Sequence, residues 1–168
     1  MADEKKNFFE KLGIFIPGYK GYAEREGRRE TDKLLRDKLA QTLSHEKNVL
    51  DEIMLTLTSS QRLSVLNEVD RAKKKLEKVV DRLKFASYGA SGFFDVVQIK
   101  EGELDKLYQF DLSLAESVSQ IGADIENTKK ALSKTDDEIK QTANRLSDML
   151  NEFNKKLDSR KQCILEVK

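Results

Sequence analysis

Two interleaved apolar seams, each repeating every seven residues, run through the C-terminal third of the chain and constrain its fold more than any other feature. One passes through Leu104, Asp111, Val118, Ile125, Leu132, Ile139, Leu146 and Phe153, the other through Leu107, Leu114, Ile121, Thr128, Thr135, Thr142 and Met149. A seven-residue repeat sustained over this length is the pattern of a helix that buries one stripe against other helices. Three threonines weaken the middle of the second seam. Thr135-Asp136-Asp137-Glu138 is also a capping box, a hydroxyl three residues before a carboxylate, and offers a break there. The pattern leaves open whether 103–165 is one helix or two.

Upstream, a second helix is expected over 22–57, with its stripe at Leu35, Leu39, Leu43, Leu50, Ile53 and Leu57. Acid-before-base pairs Glu24–Arg28 and Asp32–Arg36 are expected to support its solvated face. Thr58-Ser59-Ser60-Gln61 reads as another capping box. Beyond it the stripe restarts in a shifted phase at Val65, Val69, Ala72, Leu76, Val79, Leu83 and Ala86, which predicts a turn and a helix over 60–86. Residues 1–21 form an aromatic and glycine-rich N-terminal segment. A short helix over 3–13 is expected there, broken by Gly13, Pro17, Gly18 and Gly21. Residues 87–102 are a glycine and aromatic connector containing the β-prone run Phe93–Ile99.

These helices can form either a single coiled-coil hairpin of two rods, each about 95 Å long at 1.5 Å per residue, or a bundle of four shorter antiparallel helices. The aromatics favour the bundle. Of eight Phe and four Tyr, Phe8, Phe9, Phe15, Tyr19 and Tyr22 cluster near the N-terminus, and Phe85, Tyr88, Phe93 and Phe94 cluster in the connector. Large rings need partners. A rod would hold the two clusters at opposite ends, whereas a turn near 58–61 brings them together in one core. The expected fold is therefore an all-α, single-domain antiparallel bundle of about four long helices with a short N-terminal helix.

Composition narrows the function classes. Charged residues are 36% of the 168, yet the net charge is only +1. Periodic apolar positions and a balanced charge argue against disorder. The lone Cys163 excludes an internal disulfide and fits a reducing compartment. No stretch approaches the length needed to span a bilayer, and the longest apolar run near the start, Ile14–Ile16, is too short for a secretory signal; a cytoplasmic location is the expectation.

Few residues suggest chemistry. His45 is the single histidine, with Thr at position 42 where a Glu-x-x-His metal motif needs an acid, so a solvated helix histidine is expected. Nothing near Cys163 in sequence activates a thiol. The loop Tyr88–Gly92 lacks the Gly-Lys-Ser/Thr ending of a phosphate cradle and is expected to be a connector. The basic stretch 71–84 offers Lys73, Lys74, Lys75, Lys78 and Arg82 as residues that face an anion. No aromatic interleaves it, so nucleic acid is not the expected partner, and pairing with acids on a neighbouring helix is the simpler account. The candidate interaction residues are Phe8, Phe9, Phe15, Tyr19, Tyr22, Tyr88, Phe93 and Phe94. No cofactor, metal or catalytic group is indicated.

The strings Ile16-Pro17-Gly18-Tyr19-Lys20-Gly21-Tyr22 and Arg28-Arg29-Glu30-Thr31-Asp32-Lys33-Leu34-Leu35-Arg36 resemble a signature of bacterial all-helical proteins without an assigned activity. Ala86-Ser87-Tyr88-Gly89 and Ser91-Gly92-Phe93-Phe94-Asp95 resemble a second signature of that group. The resemblance implies a helical fold and carries no mechanism. In architecture alone the chain is also similar to phage-shock-type membrane-remodelling proteins, which join a short amphipathic N-terminal helix to long helices. Two expectations follow. The first is a non-enzymatic interaction or scaffold protein, binding a protein partner or itself through the heptad seams. The second is a peripheral protein held on an anionic membrane surface by Phe8–Ile16.

Overall fold

A computed structural model describes residues 2–86 and 92–167, with side chains from Phe8 onward. Among the described residues there are five α-helices and no strand: α1 (Ala2–Phe15), α2 (Arg28–Ser59), α3 (Leu66–Lys84), α4 (Glu101–Ala131) and α5 (Asp136–Glu166). The protein is an all-α bundle; α2 to α5 form its frame, and α1 lies across α4.

Each long helix buries the stripe its sequence marks. Leu35, Leu39, Leu43, Leu50, Ile53 and Leu57 of α2 are fully buried, as are Val69, Ala72, Leu76 and Val79 of α3. The two heptad seams close within this one chain: Val118, Ile121, Ile125, Ile139, Leu146 and Phe153 all lie in the core. The weak threonines are accommodated individually. Thr128 is buried and returns its hydroxyl to the Asp124 carbonyl at 2.9 Å, Thr142 does the same to Ile139, and Thr135 leaves the helix altogether to become the N-cap of α5. Its hydroxyl accepts from the Glu138 N–H while the Glu138 carboxylate accepts from the Thr135 N–H, so the expected capping box forms and 103–165 is two helices.

The other expected box does not form, although the chain turns where it was placed. The hydroxyls of Thr58, Ser59 and Ser60 point back and donate to the carbonyls of Met54 and Thr56. Arg62 N–H then bonds Leu57 O at 2.9 Å and Gln61 N–H bonds Thr58 O at 3.1 Å. This pair of bonds is a Schellman C-cap. Gln61 fills the left-handed position usually held by glycine, at φ 58°. The segment therefore ends α2 rather than starting α3, which begins only at Leu66 after a 3-10 turn.

Both tight turns lie at one end of the bundle, and Arg62 ties them together. Its guanidinium donates to Asp136 at 2.6 Å and to the carbonyls of Leu132 and Lys134 at 2.7 and 2.9 Å. The Leu132 and Lys134 carbonyls would otherwise be unpaired where α4 ends. Along the interface of α3 and α5, partners advance together: Lys75 reaches Ser147, and Arg82 reaches Asn154 and Asp158. Helices are thus antiparallel inside each hairpin, α2/α3 and α4/α5, while α3 runs parallel to α5. The same holds for α2 and α4, where Tyr19, just ahead of α2, meets Asp111 and Glu52 meets Lys129.

The N-terminal region departs from expectation at two points. Gly13 does not stop α1, which runs on to Phe15. Residues 22–27 do not join α2, because Tyr22 finds backbone partners elsewhere: its N–H donates to the Tyr108 hydroxyl and its carbonyl accepts from Arg28. Arg28 is thereby removed from the expected pairing with Glu24. The chain reverses through Gly18 and Gly21, both at positive φ. Gly21 is required twice over, since a Cβ there would lie 2.7 Å from the Phe9 ring and 2.9 Å from the Tyr108 hydroxyl. The run Phe93–Ile99 forms a short 3-10 turn and irregular chain instead of a strand.

Candidate functional site

At the end opposite the tight turns, the N-terminal segment and the connector meet in one aromatic core, as their composition predicted. Tyr22 lies edge-on to Phe93 at 5.6 Å between centroids and stacks on Tyr108 at 5.9 Å; Phe9 meets Tyr108 at 5.0 Å. Arg28 is completely buried at this junction. It donates to the carbonyls of Tyr22, Ala23, Phe93 and Val96, so one side chain stitches the two segments together.

Beneath the rings lies a charged cluster closed from water. Asp111, wholly buried on α4, accepts from the hydroxyls of Tyr19 and Tyr22 at 2.6 and 2.7 Å and from Arg160 Nε at 2.7 Å. The same guanidinium, 2% exposed on α5, pairs with Asp32 of α2 at 2.9 Å and donates to the Tyr22 hydroxyl. Asp32 also pairs with Arg36, which reaches on to the Leu83 carbonyl. One network thus joins α2, α3, α4, α5 and the segment after α1. Asp32–Arg36 forms as an i,i+4 pair, but inside the protein: Asp32 is 2% exposed, not on a solvated face as the sequence suggested.

Burial governs the ionisation of the cluster. It pushes the Tyr19 phenol far above its ordinary range, with the nearby Asp111 carboxylate acting in the same direction. Tyr22 is raised for the same reasons, partly opposed by Arg160. Burial also raises the Asp111 carboxyl, against which Arg160 and the two tyrosine hydroxyls hold the charged form.

An open cavity of about 350 Å³ lies beside the cluster, between α2, α3 and α5. Around it lie the buried Leu35, Leu39, Leu83 and Leu114, the half-buried Leu157, and the charged Arg36, Arg82, Arg160 and Lys161. Phe85 stands at its rim, 79% exposed.

The candidate interaction residues separate into two groups. Tyr19, Tyr22, Phe93 and Phe94 are core residues with no surface to present, and Phe8, Phe9 and Phe15 are half-buried; Tyr88 lies outside the described residues. The basic stretch is largely paired. Lys73 bonds Asp51, Lys74 bonds Asp70, Lys75 approaches the Ser147 carbonyl, and Arg82 holds Asn154 and Asp158; Lys78 is exposed. Sequence reasoning missed Tyr108 and Arg160, placed Asp32 on a solvated face, and passed over Asp111, an acid inside an otherwise apolar seam. That misplaced acid was the legible signal. His45 is exposed, burial raises the Cys163 thiol above its usual range, and the described residues contain no group of acids, histidines and cysteines suited to a metal ion.

Among the described residues no helix is long and apolar enough to cross a membrane. The chain matches no protein-family model, no curated protein and no solved structure.

Proposed function

We propose that this chain is a non-enzymatic helical interaction module, whose frame is locked from within and whose binding face is the cleft between α2, α3 and α5. The observation that carries this reading is Phe85. It ends a helix whose other large apolar side chains are buried or half-buried, yet it stands exposed beside an open cavity and the half-buried Leu157. An exposed ring next to a half-buried apolar side chain is the kind of anchor that binding surfaces use. The Asp111 cluster supports a structural role for the buried charges, since its tyrosine hydroxyls and carboxylates engage one another. The heptad seams, a candidate route to self-association, are occupied by the chain's own helices.

A photo-crosslinking side chain at position 85 is expected to capture a partner, whereas the same group at Leu55, 71% exposed toward the other end, captures none. Equal capture at both positions, or none at 85, would overturn the reading.

A second reading, attachment to an anionic membrane surface through α1, is favoured by one specific residue. Ile14 is 84% exposed, beside the half-buried Phe15 and near Lys11 and Lys38. Leu12 and Ile16, by contrast, turn fully into the core, which leaves a narrow apolar strip for lipid. The Ile14→Glu chain should sediment less with phosphatidylglycerol vesicles than the unaltered chain. Identical pelleting of the two would sink this reading.

A further inference from the structure

We propose that the strip between α3 and α5 receives an acidic helix of a partner protein, its carboxylates along Arg71 and Lys78 and an apolar side chain against Phe85. The inference rests on the reading of the cleft as the binding face and names the class of partner. The strip leads into that cleft, which Arg82, Phe85 and Lys161 line.

Folding sorts the charges of α3 by side. Lys73 meets Asp51 and Glu77 meets Lys47, both on α2, while Lys74 pairs with Asp70. Lys75 and Arg82 turn the other way and contact Ser147, Asn154 and Asp158 of α5. Arg71 and Lys78 precede them by four residues, little more than one helical turn, and so stand on the outer edge of the same α5 side. Both are exposed, as is Lys161 across the strip, and none of the three forms an ion pair or hydrogen bond among the described residues. The α5 wall does not neutralise them. Asp158 belongs to a row of seven-residue steps whose other members, Asn151 and Asn144, are exposed amides, and Asp158 itself is held by Arg82. The remaining acid of the strip, Glu68, is half-buried at its far end. Exposed cations without carboxylates set the sign of the partner.

Spacing sets its shape. Arg71, Lys78 and Phe85 lie seven residues apart, and the Phe85 N–H continues the helix by bonding the Asp81 carbonyl. They form a straight row about 21 Å long, in steps of about 10.5 Å. A second helix repeats one side-chain direction at the same step. Two carboxylates and an apolar residue at that spacing meet both cations and the ring at once. An anionic membrane surface or a nucleic-acid duplex is broader than this single row. It would also press on Asp70, Asp81 and Asp158, which flank the row, and like charges there oppose it.

The probe is a labelled, stapled alanine-based helix of about 15 residues, with glutamate at its first and eighth positions and leucine at its fifteenth. Fluorescence anisotropy with the full chain is expected to show one peptide bound per chain, more weakly as salt rises. Lys78→Glu and Arg71→Glu should each weaken binding about five-fold. Lys84→Glu makes the same charge change seven residues after Glu77, hence on the α2 side, and should leave binding unchanged. Serine in place of the peptide's leucine should weaken it as well. Circular dichroism melting checks that these exposed substitutions keep the fold. No binding, no greater loss from Lys78→Glu than from Lys84→Glu, or tighter binding of phosphatidylglycerol vesicles or duplex DNA than of the peptide would each overturn the assignment. If the peptide fails while position 85 still captures a partner, the partner class is wrong and the binding face stands. If capture at 85 fails as well, both are wrong.

Discussion

Replacing Asp111 with Ala is expected to cost about 3–5 kcal/mol, the range for removing one partner of a buried ion pair. The substitution deletes the acceptor of two tyrosine hydroxyls and of Arg160 Nε at a site with no exposure. Arg160 keeps Asp32, but that carboxylate already serves Arg36, so the buried guanidinium loses a charged partner. The energetic loss comes from stranding these groups more than from the attraction itself. Asp111→Leu combined with Arg160→Met should therefore recover at least half of the loss, since well-packed apolar replacements of a buried pair are often neutral. Denaturant unfolding of the unaltered chain and the two variants checks this. A loss below about 1 kcal/mol for Asp111→Ala, outside the buried-pair range, would refute the view that the cluster locks the frame.

The same cluster predicts a steep alkaline limit. Tyr19 and Tyr22 are held neutral in the folded protein by burial first and by Asp111 second. An unfolded tyrosine ionises near 10.0. Because the folded values are raised, the contribution of each tyrosine is fully present below about pH 10. It declines as pH rises above that value, because the unfolded chain releases protons the folded one retains. Each phenol contributes a slope of about 1.4 kcal/mol per pH unit, so the pair removes about 3 kcal/mol by pH 11. Tyr19→Phe should reduce this tyrosine-dependent slope by about half, while lysine titration continues in both proteins. Parallel stability curves for the two proteins between pH 9 and 11 would show that Tyr19 does not titrate on unfolding.

Helix number and core composition were legible wherever a local rule and a long-range demand agreed. Thr135 illustrates this: a capping box coincides with the weakest stretch of an apolar seam, and α5 begins there. At Thr58–Gln61 the location of the turn was legible but its chemistry was not. The same hydroxyls can cap a following helix or bond back to the preceding one, and only the left-handed Gln61 decides between them. A non-glycine residue in that conformation costs roughly 1–2 kcal/mol. The turn-to-turn bonds of Arg62 help to offset this cost, and they join residues separated by 70 or more positions.

The buried charges were the least legible part. Asp32–Arg36 and Glu24–Arg28 have the same spacing and the same local appearance. One lies in the core and the other never forms, because Arg28 is claimed by carbonyls of the connector. Local spacing states which side chains can meet on a helix surface, not which face that surface will be.

By itself, the sequence determined the helical class, the existence of a break near 60 and the meeting of its two aromatic segments, and it offered a break near 133 without deciding it. Each follows from periodicity or from the need to cover large apolar surfaces, and these act through composition and neighbours a few residues apart. Only the tertiary structure decided that like-running helices of the two hairpins lie side by side. It alone placed Arg160 of α5 against Asp32 of α2 and Asp111 of α4, and it alone opened a basic-mouthed cavity beside them. Those outcomes depend on desolvation and pairing among groups distant in the chain, and a charge reveals whether it is solvated or buried only once every helix around it is in place.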